Sequence, residues 1–148
     1  RKHGIHVDNI RDAERMELCV RLMNRVSEEY YTGEYMDYHK SKFHFDPISQ
    51  EELDDMTEEH KELVKGGSTL RIEEIWEKYD DYFKKYPLVH KKVLADKKLQ
   101  IFTIEEKDGE TDVDVKQRIA MNMGHYNHER ARKLLFKIME ENIEGWWD

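Results

Sequence analysis

Histidine and carboxylate side chains offer the first candidates for chemistry in this chain. His125 and His128 stand three residues apart with Glu129 beside the second, a spacing that places ligands on one face of a helix. Zinc needs three or four such ligands in a tetrahedral array, so His60, Glu59 or His90 would have to complete the set. Neither HExxH nor its inverted form occurs, and cap or surface histidines account for the same letters. Glu59 with Glu62 and Glu74 with Glu77 give the ExxE spacing that lets facing helices share a magnesium ion. With 33 Asp and Glu in the chain, pairs at that spacing also arise as a solvated face. Lys91, Lys92, Lys97 and Lys98, with Phe102 nearby, form a local basic patch suited to phosphate backbones. The stretch Gly66-Gly67-Ser68-Thr69 could hold an anion at a helix start, or simply cap that helix. GxxxxGK[ST], GxGxxG and GxSxG are all absent. No catalytic constellation assembles from these letters, and no cofactor is implied.

Arg118 precedes His125 with six residues between them. That spacing resembles the Rx4-6H pattern of the HEPN helical ribonucleases, in which arginine and histidine from paired subunits surround a scissile phosphate. Ile119 follows the arginine where that family usually has a polar residue, and Gly124 is expected to break the helix between the two.

The elements that must position these residues read as helices. Two prolines and seven glycines leave long stretches without breakers. Asp8 or Asn9 can cap a first helix, along which Ile10, Ala13, Met16, Cys19, Val20, Met23, Val26 and Tyr30 form an apolar stripe that Leu18 and Leu22 widen. Cys19 sits in that stripe and reads as packed rather than nucleophilic. EYMDYHKSKFHF runs from a helical turn or two into extended chain at Asp46-Pro47, because residues before proline avoid the α region. Ser49 and Glu52 fit a capping box. Ser68 or Thr69 is then expected to start a helix reaching Tyr86 with an aromatic face, and a short helix follows Pro87. Leu99 to Ile104 reads as a short strand or helical continuation, closed by a turn at Lys107-Asp108-Gly109-Glu110. Asp112 or Asp114 is expected to cap a helix that stops at Gly124, and Asn127 to cap the last one.

The predicted fold class is all-α: one domain over residues 1–148, a compact bundle of about five to seven helices, with at most a short strand pair near 99–105. Composition bounds the function classes. Hydrophobic residues at 38% suffice for a core, but no run approaches the roughly 18 apolar residues of a membrane span. A net charge of -8 opposes nucleic-acid binding through a globally basic surface. The single cysteine cannot form an internal disulfide, and the opening residues carry no apolar signal core, so a reducing, cytoplasmic setting is expected.

The two ends carry a further resemblance. HVDNIRDAERMELCVRLMNRV at residues 6–26 and HERARKLLFKIMEENIEGWWD at 128–148 resemble the opening and closing of small uncharacterised proteins of large tailed phages, through N-I-R-D-x-x-R-M at Asn9 to Met16 and L-L-F-x-x-M…W-W-D at Leu134 to Asp148. The resemblance implies a phage origin and, with it, an infected host cell. Physically, Ile10, Met16, Leu134, Phe136 and Met139 are expected to pack two helices together. Trp146 and Trp147 either fold back over that core or stand out as anchors for a partner. The leading expectation is a non-catalytic module that binds a protein partner, as an inhibitor, adaptor or anti-defence factor. A metal- or histidine-dependent enzyme on nucleic acid or nucleotides (Arg118, His125, His128, Glu129) and a nucleic-acid binder through the lysine patch are the alternatives.

Overall fold

The computed structural model describes residues 4–146, with side chains from Asn9 onward; Trp147, one of the two expected anchors, lies outside the described residues. Among the described residues there are seven α-helices and one antiparallel strand pair: α1 (Gly4–Ser27), α2 (Tyr30–Gly33), β1 (His39–Pro47), α3 (Gln50–Asp54), α4 (Glu58–Leu63), β2 (Ser68–Glu77), α5 (Tyr79–Lys85), α6 (Pro87–Ala95) and α7 (Asp112–Asn142). The mostly helical class matches the reading of the sequence. The strands, however, do not lie near 99–105, and the chain divides into two units: residues 1–38 with 78–148, and residues 39–77.

The helical unit is built on α7. Its start is a capping box in which the Thr111 hydroxyl accepts from the Asp114 N–H while the Asp114 carboxylate accepts from the Thr111 N–H at 2.8 Å, so Thr111, not Asp112 or Asp114, is the cap. From there α7 runs without a break through Gly124 and Asn127. Gly124 is there because α2 crosses at backbone distance: a Cβ on it would stand 2.7 Å from the Tyr31 carbonyl oxygen. The glycine expected to end a helix instead admits a neighbour.

One face of α7 (Ile119, Ala120, Met123) meets Tyr79, Tyr82 and Phe83 of α5 and Val89 and Val93 of α6 in the main core cluster. Tyr82 is fully buried, its hydroxyl facing Asn127, and burial raises its pKa well above the usual phenol range. Farther along, Ala131 and Leu135 pack on Cys19 and Leu22 of α1, which runs antiparallel to α7, and Arg15 donates to the Asn142 side-chain oxygen at 2.6 Å. The α1–α7 contact uses part of the expected set: Cys19 is buried, its thiol pKa raised by desolvation, and Met139 packs on the same cluster, whereas Ile10, Leu134 and Phe136 are exposed. α1 also starts at Gly4, a turn ahead of the Asp8–Asn9 cap.

Glu34, only 4% exposed, joins the segments around α7. Its carboxylate pairs with Lys85 and accepts from the Tyr86 hydroxyl at 2.8 Å and the Tyr30 hydroxyl at 3.3 Å. Desolvation, together with that hydrogen bond, pushes the Tyr86 phenol up to about 12.

Residues 39–77 form the second unit. The 3₁₀ turn Glu34–Tyr38 leads into β1, which pairs with β2 so that Phe43 faces Ile72 and Phe45 faces Leu70. The helix expected from Ser68 to Tyr86 is thus two elements, β2 and α5. Leu70 and Ile72 obey a period of 2 while Ile72, Ile75, Trp76 and Tyr79 follow helical steps, and Phe43 and Phe45 supply the partner face that decides between the two readings. The capping box at Ser49 and Glu52 is present and starts α3. The Lys78 N–H donates to the Tyr38 carbonyl at 2.7 Å, bringing together the points where the chain leaves and re-enters the helical unit.

Replacing Gly124 tests the spine directly. Helix propensity alone predicts that Gly124→Ala stabilises by about 1 kcal/mol. The close approach of Tyr31 reverses the sign, and a loss of about 1–3 kcal/mol is expected in chemical denaturation.

Candidate functional site

Between α6, the 3₁₀ turn Lys97–Leu99 and the middle of α7 lies an open groove of about 450 Å³. Tyr126, Arg130 and Lys133 reach it from α7 at i, i+4 and i+7, so one helix face carries all three. His125 and Glu129 come from the adjoining row of the same helix. Lys92 enters from α6, its ammonium 5.1 Å from the centroid of the Tyr126 ring, and Lys98 from the 3₁₀ turn. Leu99 and Ile101 contribute the apolar part of the wall.

The wall formed by the 97–111 connection is held by α7 itself. Asn122, fully buried, accepts from the Ile101 and Phe102 N–H groups and donates from its side-chain nitrogen to the Phe102 and Arg118 carbonyls, both at 3.0 Å. Three backbone polar groups of the connection are thereby met by one amide, which is why the segment read as a strand or helix can remain neither. Arg118 does the same one turn earlier: its guanidinium donates to the Thr103 carbonyl at 2.6 Å, the Glu105 carbonyl at 2.9 Å and the Glu110 carboxylate at 2.8 Å. That bidentate pairing holds the Glu110 carboxyl below the usual range. The turn at Lys107–Glu110 forms as expected, with Gly109 at φ +84°.

The Arg118, histidine, lysine and Trp146 candidates take these places. Arg118 is fully engaged in bracing the connection, so the Arg118–His125 pair offers no free guanidinium to a phosphate. His125 borders the groove, its ring centroid 6.2 Å from that of Phe102. His128 sits one turn further on the same helix and is half-buried. Glu129 is held by Arg132 at 2.9 Å, and that contact lowers its pKa. Among the described residues no three His, Cys, Asp or Glu side chains gather closely enough to hold a metal ion. Of the lysine patch, Lys92 and Lys98 reach the groove, Lys97 pairs with Glu105 at 3.5 Å, and Lys91 is exposed away from the lining. His90 turns inward and stacks on Phe83 at 4.3 Å, where burial lowers its pKa. Trp146 is half-buried against the cluster of Cys19, Leu22, Ala131 and Leu135.

Arg130 and Lys133 were missed by the sequence reading because they lie more than thirty positions from Lys98. The helical spacing of Tyr126, Arg130 and Lys133 was the signal that could have found them.

Residues 39–77 present a different surface. Not one of them is buried. Phe43 (60% exposed), Phe45 (71%), Leu70 (49%) and Ile72 (55%) share one face of the strand pair. The unit holds eleven Asp and Glu against five Lys and Arg, so it carries most of the net charge of -8.

Asn122→Leu keeps the side-chain volume close to constant but removes every bond to the connection. The expected loss is about 3 kcal/mol, from stranded amides at Ile101 and Phe102, read as a fall in the urea midpoint. No protein-family model, curated protein or solved structure matches this chain.

Proposed function

We propose that the chain is a non-catalytic protein-binding module and that residues 39–77 are its binding element. The observation that carries this reading is the absence of any buried residue in that unit, combined with four large apolar side chains in cross-strand register on one exposed face. A two-stranded ribbon without a covered face is marginal by itself. Apolar groups of this size gain free energy only when something excludes water from them.

The chemistry of the partner follows from the same residues. An excess of six negative charges in the unit favours a partner whose apolar contact surface is surrounded by Lys and Arg, because opposite potentials speed encounter and fix orientation. Phe43, Phe45, Leu70 and Ile72 would form the dry centre of that contact, with Asp46, Glu73 and Glu74 on or beside the ribbon at the polar rim. Neither strand has a second neighbour among the described residues, so backbone pairing with a strand of the partner is also open to it. The resemblance of the chain ends to small phage proteins extends the reading to an inhibitor, adaptor or anti-defence factor acting in an infected host cell. No helix among the described residues is long and apolar enough to cross a membrane.

The test compares the intact chain with a Phe43→Ser/Ile72→Ser variant in affinity capture from host lysate, with sedimentation run alongside. The variant is expected to lose the captured protein by about ten-fold or more, as removal of hot-spot side chains does. Its helical circular dichroism should stay unchanged, since both substitutions lie in the unit without a core. Equal capture by both forms contradicts the reading. A chain that self-associates, and becomes monomeric in the variant, would identify a second copy as the occupant instead.

A further inference from the structure

We propose that the groove between α6 and α7 is a binding site for a free nucleotide: a ligand with several phosphate oxygens joined to a planar ring. The juxtaposition behind it is four cations, Lys92, Lys98, Arg130 and Lys133, around one open groove with Tyr126 and His125 in its wall.

What sets these four cations apart is that they share one groove; Lys40, Lys42 and Lys91, which also have no carboxylate within ion-pair distance among the described residues, do not line it. Lys61, Lys84, Lys85, Lys97, Lys116 and Lys137 each have a carboxylate within ion-pair distance. Among the described residues no carboxylate lies within ion-pair distance of Lys92, Lys98, Arg130 or Lys133, although Glu129 attracts Lys133 from one helical turn away. The acid nearest to them in the wall, Glu129, is turned to Arg132 at 2.9 Å. Acids outnumber bases by eight in this chain, so leaving four cations together and unpaired runs against the mean composition. Like charges converging on one groove repel each other, and a polyanion relieves that repulsion on binding.

Two further features narrow the class. The volume of about 450 Å³ lies in the range of small-molecule sites and suits one nucleotide rather than a run of them. The wall also offers more than charge: Leu99 and Ile101 are apolar, and the Tyr126 and His125 rings stand where a planar group could stack. Inorganic phosphate would leave that part of the groove unused. A long nucleic-acid strand would use the cations but would then run across a strongly acidic protein, which the charge balance opposes. Lys92 already lies against the Tyr126 ring, so ligand binding would draw its ammonium from the ring to phosphate oxygens, a stronger charge-assisted contact.

Isothermal titration of the full chain with ATP, UTP, inorganic tripolyphosphate and a short single-stranded DNA tests this at low and at physiological salt. The variants are Lys92→Gln/Lys133→Gln and, as a control on the same helix outside the groove, Lys137→Gln. Both groove lysines are exposed, so the helical signal of the double variant should equal that of the parent. The proposal expects saturable binding of ATP or UTP, tighter than tripolyphosphate, weakened about ten-fold or more in the double variant and unchanged in the control. Absence of nucleotide binding, or equal affinity in the double variant, overturns it. Tripolyphosphate binding as tightly as ATP overturns the role of the ring. The DNA strand binding more tightly than either nucleotide overturns the assignment to a free nucleotide in favour of a nucleic-acid chain. The Phe43→Ser/Ile72→Ser substitutions that test partner capture lie outside the groove lining and should leave these readouts unchanged, so the two readings fail separately.

Discussion

The side chain of Asn122 decides what the middle of this protein looks like. It is a fully buried amide on α7, and it meets the backbone of Ile101 and Phe102 with both its oxygen and its nitrogen. Segments without regular structure must place their amides somewhere, and water cannot serve those that lie against a core. Arg118 extends the same arrangement to Thr103 and Glu105 and uses Glu110 to balance its charge. Two polar side chains one turn apart thus replace the ladder that a second strand would have provided. The 97–111 connection can then turn Lys98, Leu99 and Ile101 toward the groove while contributing no secondary structure beyond one 3₁₀ turn.

α7 can perform this service because it continues where composition suggests it should stop. Gly124 is tolerated in the helix interior since its missing Cβ lets the α2 backbone approach, a gain that offsets the usual penalty of a helical glycine. Glu34 then ties the segment following α2 to Lys85 and Tyr86 across the same region. A buried carboxylate is tolerable only when cation and hydroxyl partners are all present, so these groups specify one arrangement more than they add stability. The outcome is a helical unit in which one long helix organises two apolar clusters and one basic groove. Residues 39–77, by contrast, bury nothing and hold most of the negative charge. A local basic groove in one unit and a strongly acidic, apolar-faced surface in the other suit contacts with two chemically different kinds of ligand.

Periodicity made the helical class legible, and local chemistry made several boundaries legible: Ser49 with Glu52 starts α3, and Gly109 turns the chain before α7. What periodicity could not reveal depended on distant partners. Leu70 and Ile72 stand at the extended period of 2 while Ile72, Ile75, Trp76 and Tyr79 continue at helical steps, and only pairing of Leu70 and Ile72 with Phe45 and Phe43 chooses the strand. Gly124 and Asn127 look like helix boundaries until a neighbour crossing at Tyr31 and a buried Tyr82 hydroxyl explain them. The groove was half visible, as Lys92, Lys98 and His125. Helical spacing puts Arg130 and Lys133 on the face of Tyr126, but that this face meets Lys92 and Lys98 depends on the packing of α6 on α7, which spacing does not encode. Arg118 was noticed for the right reason, its capacity to bind oxygen atoms, but the oxygens it binds belong to its own chain.

The most direct test of this account is native-state hydrogen exchange at the amides of Ile101 and Phe102. If Asn122 pins the connection to α7, both amides should exchange as slowly as those in the middle of α7, opening only with the helical unit as a whole. Exchange at the rate of an unstructured loop, while α7 stays protected, would contradict the claim that this clamp builds the groove.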